Sequence, residues 1–137
     1  MNKTKMIELK VNGDARGSLV VIEGEKNLGY RIERVFYMFG MDSDSVRGKH
    51  ANRESTICLI ALKGKCRIVI DDGFSRETFI LDSPDKALVC YPITWKEMDE
   101  FSPDCVLAGI CNTCYDKAEY INNYEEFLKE VRKEELH

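Results

Sequence analysis

Proline is scarce in this chain, three in 137 residues, and histidine scarcer, with two in all. With only nine glycines beside those prolines, collagen-like and low-complexity classes are excluded. Nor is there an excess of positive charge: 20 Lys and Arg against 24 Asp and Glu give a net charge of −4 and a pI near 5.3. No global field therefore favours nucleic acid as a partner, and any phosphate must meet a local cluster of cations. Long hydrophobic runs are missing as well. The longest, Ile57 to Leu62, is about a third of the roughly 20 residues a membrane helix needs, so no membrane partner is expected. Lys and Glu interrupt every apolar stretch of the opening MNKTKMIELKV, which is unlike a secretory signal and leads to the expectation of a soluble, cytoplasmic protein. In that compartment the six cysteines stay reduced, and Cys58, Cys66, Cys90 and Cys105, each in an apolar segment, read as small core hydrophobes.

What is present is an ordinary globular balance, 44% hydrophobic and 32% charged, in a length that suits one domain over residues 1–137. Short runs rich in Val, Ile, Leu, Phe and Tyr alternate with turn residues, the pattern of an all-β sandwich or barrel. Strands are expected near Met6 to Lys10, Ser18 to Glu23, Ile32 to Phe39, Gly48 to Arg53, Thr56 to Leu62, Cys66 to Asp71, Glu77 to Leu81, Lys86 to Cys90, Thr94 to Met98 and Asp104 to Cys111. Asp72-Gly73, Gly64 and Ser83-Pro84-Asp85 supply turns between them. This β-region covers residues 5–115. The tail differs: Tyr120, Ile121, Tyr124, Phe127, Leu128 and Val131 recur at three-to-four residue spacing among charged residues. That spacing predicts one amphipathic helix over residues 118–134, capped either at Asp116 with Glu119 or near Asn122. Such a helix either packs on the β-region or is presented to a partner.

His137 ends the chain, which leaves His50 as the internal imidazole. Strand alternation in Arg47-Gly48-Lys49-His50-Ala51-Asn52-Arg53 puts Lys49, Ala51 and Arg53 on one face and Gly48, His50 and Asn52 on the other. If the second face lines an interior, His50 and Asn52 are pocket neighbours; otherwise His50 satisfies a hydrogen bond in a wall. His50 with Glu54 is a fragment of a metal-site pattern, but a bound metal needs three or more ligands and no second internal histidine supplies them, so no metal is expected. Cys111-Asn112-Thr113-Cys114 has thiol-pair spacing without a second pair or a βαβ context, and reads as a strand end. Arg16, Arg34, Arg47 and Arg53 stand at strand ends, where planar guanidiniums can grip a diphosphate. Tyr37, Tyr91 and Trp95 are available either to stack on a base or sugar or to fill the core.

Taken in order, Asp14-Ala15-Arg16-Gly17-Ser18-Leu19, Arg34-Val35-Phe36-Tyr37, Arg47-Gly48-Lys49-His50-Ala51, Ile70-Asp71-Asp72-Gly73, Leu81-Asp82-Ser83-Pro84 and Trp95-Lys96-Glu97-Met98 resemble the WxcM-like cupins over nearly the whole chain. Characterised members of that family are dTDP-4-oxo-6-deoxyglucose 3,4-ketoisomerases of the FdtA and QdtA type. The resemblance implies a cupin-type jelly-roll barrel with one C-terminal α-helix and no metal or other cofactor. It also implies a homodimer that exchanges strands and a dTDP-linked 4-oxo-6-deoxyhexose as substrate. Moving a ketone from C4 to C3 requires a proton to leave C3 and another to arrive at C4, which is acid–base chemistry suited to imidazole. The family's His-Ala-His motif reads His50-Ala51-Asn52 here, and the histidine often found after the tryptophan is Lys96. Asparagine cannot relay a proton at neutral pH.

Three arrangements are open at this point. His50 can act as a single base across one face of the enediolate, with Asn52 polarising the oxygens and Tyr37 or Lys96 donating. Lys96 can instead take over a proton-transfer role if burial lowers its pKa. Alternatively, the pocket binds a sugar nucleotide without turning it over. In each case Arg16, Arg34, Arg47, Arg53 and Trp95 are the candidate substrate-binding residues.

Overall fold

The computed structural model describes residues 3–136; His137 and the first two residues of the N-terminal reading lie outside the described residues. The chain begins with β1 (Lys5–Glu8), a hairpin of β2 (Val11–Asp14) and β3 (Gly17–Val20), and a single helical turn, α1 (Gly24–Asn27). Then follow β4 (Arg34–Phe39), β5 (Arg47–Asn52), β6 (Ile57–Lys63), β7 (Cys66–Asp71), β8 (Arg76–Leu81), β9 (Lys86–Cys90), β10 (Trp95–Asp99) and β11 (Val106–Cys111). A 3-10 turn (Lys117–Glu119), β12 (Tyr120–Ile121) and α2 (Tyr124–Glu135) complete it.

The strands make two five-stranded sheets, β1-β9-β6-β11-β4 and β12-β5-β10-β7-β8, with β2-β3 as a separate ribbon. All pairs are antiparallel. The sheets face each other as the two layers of a jelly roll, without closing into a continuous barrel. Alternation along each strand explains how a core forms between them. On β6, Ile57, Leu59 and Ala61 point inward to meet Ile68 and Ile70 of β7 and Leu107 of β11. The residues between, Cys58 and Ile60, face the other way and are covered by Leu9, Leu28 and the N-terminal segment. On the outer side of the second sheet, Ala51, Trp95 and Ile121 are covered by Phe127 and Val131 of α2. Each fully buried aliphatic or aromatic side chain in these layers contributes about 1.5–3 kcal/mol of hydrophobic stabilisation. Five cysteines are buried and free, the expected four among them, with Cys111 as the last residue of β11.

Two expectations shift. The segment expected as a strand over Ser18 to Glu23 ends at Val20, and the chain turns into α1, where the Glu23 carbonyl accepts from the Lys26 N–H at 2.8 Å. The terminal helix begins at Tyr124, because Asn123 caps it by accepting from the Glu126 N–H at 3.0 Å. Asp116 is also a cap, but of the 3-10 turn, and Tyr120 and Ile121 pair with Asn52 and Ala51 as strand residues. Among the described residues no helix is long and apolar enough to cross a membrane.

Candidate active site

Between the layers opens a cavity of about 400 Å³, a size suited to a small-molecule ligand. β4 forms one wall by alternation: Arg34, Phe36 and Met38 turn inward while Val35, Tyr37 and Phe39 lie on the exposed side, and of these three Tyr37 still reaches the cavity rim. The Phe36 ring packs against Gly109 of β11, where a Cβ would come within 2.1 Å of its Cζ. Only glycine lets that ring line the floor.

β5 forms the opposite wall, and there strict alternation fails. Gly48 and Lys49 both take positive φ, 82° and 55°. The register with β10 pairs Lys96 with His50 and Glu97 with Gly48, leaving Lys49 as the extra residue of a β-bulge. A Cβ on Gly48 would stand 2.9 Å from the Lys96 carbonyl oxygen. Skipping one residue brings Arg47 and His50, which alternation puts on opposite faces, into the same cavity.

His50 Nδ1 lies 3.1 Å from the Gly48 carbonyl oxygen. A carbonyl can only accept, so in the neutral ring Nδ1 carries the hydrogen and Nε2 holds the free lone pair. Burial, aided by the charge of Lys96, pushes the imidazolium down to about 4, against the opposing pull of the Gly48 carbonyl and Glu119. The ring is therefore neutral at physiological pH. Tyr120 stands edge-on to it with centroids 5.0 Å apart.

Lys96 borders the cavity yet is only 1% exposed, its Nζ donating to the Thr94 carbonyl at 3.1 Å. Burial pushes its ammonium down, while Cys90, Glu119 and Cys111 push back. Arg34 donates to the Cys111 sulfur at 3.4 Å and its guanidinium lies 5.7 Å from the Tyr115 ring centroid, an arrangement that leaves a cation at the cavity edge.

The structure thus brings together His50, Lys96, Arg34, Arg47 and Tyr37, the last at the rim with 63% of its surface exposed. Four expected site residues stand elsewhere. Asn52 faces inward but is 0% exposed and does not border the cavity, because its amide donates to the Glu119 carboxylate at 3.0 Å. Arg53 is on the outer face, paired with Glu126 and Glu130 of α2 at 3.1 and 2.9 Å. Trp95 is also on the outer face, T-shaped against Tyr124 at 5.3 Å, with its indole N–H donating to Glu97. Arg16 sits at the tip of the β2-β3 ribbon, bonded to Asp14. Sequence reasoning missed Tyr115, Tyr120 and Glu119. Tyr120 was hidden because its spacing to Tyr124 and Phe127 continues the helical period, whereas its real partner is β5. Among the described residues no three His, Cys, Asp or Glu side chains gather as a metal site.

Comparison with known proteins places this arrangement in company. A family model described as FdtA, WxcM-like, C-terminal matches residues 2–132. A TDP-4-oxo-6-deoxy-alpha-D-glucose-3,4-oxoisomerase from Aneurinibacillus thermoaerophilus is 40% identical over 131 residues, covering 96% of this chain and 94% of its own. Among solved structures, a mutant of the 3,4-ketoisomerase QdtA from Thermoanaerobacterium thermosaccharolyticum, in complex with TDP-4-keto-6-deoxyglucose, is 30% identical with a TM-score of 0.94, covering 97% and 96% of the two chains. The TDP-fucose-3,4-ketoisomerase WlaRA from Campylobacter jejuni is 37% identical with a TM-score of 0.89, covering 96% of each.

Proposed function

This chain belongs to the WxcM-like FdtA family, and from that premise we propose that it is a 3,4-ketoisomerase that moves the keto group between C4 and C3 of a dTDP-linked 6-deoxyhexose. The observation that carries the reading is His50: a neutral imidazole in a cavity wall, its Nδ1 engaged by the Gly48 carbonyl and its Nε2 lone pair free. In the forward direction Nε2 takes the proton from C3, and the C3–H electron pair moves into a C3–C4 double bond while negative charge develops on O4. The resulting enediolate collapses the other way. The O3 proton passes to O4, the O3–H electron pair closes the C3 carbonyl, and the C3–C4 double-bond pair takes the imidazolium proton at C4, which leaves His50 neutral again, so atoms and electrons balance without an external oxidant.

Lys96 supports this by placing an ammonium beside the developing oxyanion, within a largely apolar cavity where a charge acts strongly. Arg34 and Arg47 are the cations for the diphosphate, and Tyr37 at the rim is positioned for the sugar or base. Asn52 acts from behind the wall, through Glu119, and does not polarise substrate oxygens. The match over residues 2–132 supports reading the chain as one domain. Buried thiols used as core filler support a reducing compartment such as the cytoplasm.

Arg16 enters through a second copy of the chain. The β2-β3 ribbon pairs with neither five-stranded sheet and leaves Leu19 61% exposed, while β4 is an open edge carrying Val35, Tyr37 and an outward Phe39 that is 71% exposed. Such an edge is a template for added strands. A homodimer that lays the ribbon of one subunit along β4 of the other covers both apolar surfaces and brings Arg16 toward the cavity mouth.

The test is proton NMR of the protein with dTDP-4-oxo-6-deoxyglucose in deuterated water. The expected result is deuterium at the reacting carbons and a 3-oxo product, with His50→Ala slower by about 10²–10⁴-fold. A wild-type protein stabilised by dTDP that gives neither exchange nor product overturns the isomerase reading.

A further inference from the structure

Behind the cavity wall lies a buried carboxylate with no direct part in this chemistry. Glu119 is 5% exposed. It accepts from the Asn52 amide at 3.0 Å, the Glu54 N–H at 3.0 Å, the Ser55 N–H at 2.9 Å and the Ser55 hydroxyl. Its own carbonyl accepts from the Arg53 N–H at 2.9 Å, and the Ser55 hydroxyl also meets Thr113. Burial raises the Glu119 carboxyl, but the hydrogen bonds from Ser55, Glu54 and Asn52 outweigh it and hold the group below its ordinary value. A buried anion so fully satisfied fixes its surroundings, since every donor would be orphaned if it moved.

What it fixes is the next residue. Tyr120 belongs to a strand of two residues, paired only with Asn52 and Ala51 of β5. So short a ladder has little hold of its own. Yet Tyr120 borders the cavity and meets the His50 ring edge-on. The pinned carboxylate and the cavity aromatic are consecutive in the chain, on the same segment laid across β5.

We propose that Glu119 is a positioning residue of this site: its buried carboxylate ties the 3-10 turn and β12 to the β5-β6 connection and thereby holds the Tyr120 ring against His50. The catalytic consequence rests on the isomerase reading; the contact itself rests on geometry alone. Glu119→Gln preserves size but turns one carboxylate oxygen into a donor, which then faces the donors of Asn52 or Ser55.

The experiment uses protein carrying ring-¹³C histidine. His50 and His137 are the only histidines, so the ring signals of His50 are identified by their loss in His50→Ala. A neighbouring aromatic ring displaces them, and Tyr120→Leu measures by how much. The expected result is that Glu119→Gln moves the His50 signals in the direction seen for Tyr120→Leu and by a comparable amount. Ser55→Ala, which removes one donor, moves them the same way by less and serves if Glu119→Gln does not fold. With substrate, kcat falls by about ten- to a hundredfold at nearly constant KM, the mark of misplaced groups rather than lost binding. His50 signals unmoved in both Glu119→Gln and Ser55→Ala, or unmoved in Tyr120→Leu, overturn the proposal. If the displacements appear but the wild-type protein turns over no substrate, the positioning role stands and the isomerase reading falls.

Discussion

His50 and Lys96 stand opposite each other in the β5-β10 register, so the charge of Lys96 adds to burial in disfavouring the His50 imidazolium. His50 acts as a base only when neutral, and its proton affinity is lowered from 6.5 to about 4. The acid limb of kcat/KM is therefore expected near 4 instead of in the ordinary histidine range. Removing the neighbouring positive charge in Lys96→Met makes the imidazolium easier to hold and moves that limb to higher pH. A pH–rate profile of both proteins checks this, and a limb that stays put counts against the coupling. The same shift has a stability consequence of definite sign. Between pH 6.5 and about 4 the unfolded chain takes up the His50 proton while the folded chain does not, so stability falls as pH falls through that window. His50→Ala flattens this decline in a series of thermal melts. His50 was legible in the sequence as the internal imidazole. Arg47 was not legible as its cavity neighbour, because a single bulged lysine reverses the face on which every earlier residue of the strand lies.

At the scale of elements, α2 is a lid for the outer face of the second sheet. Phe127 is fully buried, Val131 sits against Gly73, and the Tyr124 hydroxyl donates to the buried Asp71, which also receives Arg76. Phe127→Ala is expected to lower stability by about 3–5 kcal/mol through lost transfer energy and a residual cavity. Tyr124→Phe costs about 1–3 kcal/mol, because Asp71 loses a donor while buried. Urea denaturation measures both, and a loss under 1 kcal/mol for Phe127→Ala would count against a docked helix. The amphipathic period announced this helix but blurred its start, since Tyr120 and Ile121 fall in phase with it yet pair as a strand. The same covering misled the reading of Arg53 and Trp95. A single sequence marks them as a cation and an aromatic near the motif, and only the fold reveals that Glu126, Glu130 and Tyr124 already occupy them.

For the molecule as a whole, the two sheets were legible because turn chemistry separates the strands, as at Gly64 and Gly73, which take the positive φ such turns demand. Of the β2-β3 ribbon only β3 was legible, within the strand expected from Ser18; β2 was not, and the apolar Val11 and Leu19 find no cover within the chain. Sedimentation of the wild-type protein is expected to give a dimer, and Leu19→Glu or Phe39→Glu a monomer with sharply reduced turnover. A wild-type monomer with full activity would exclude the exchanged ribbon. One further property follows from where the lone tryptophan sits. Trp95 is sealed beneath α2 on the side of its sheet away from the cavity. Its emission is thus a gauge of helix docking and stays dark to the nucleotide: a titration followed by intrinsic fluorescence reads as no binding even at saturation, while the same signal reports the release of α2 in Phe127→Ala.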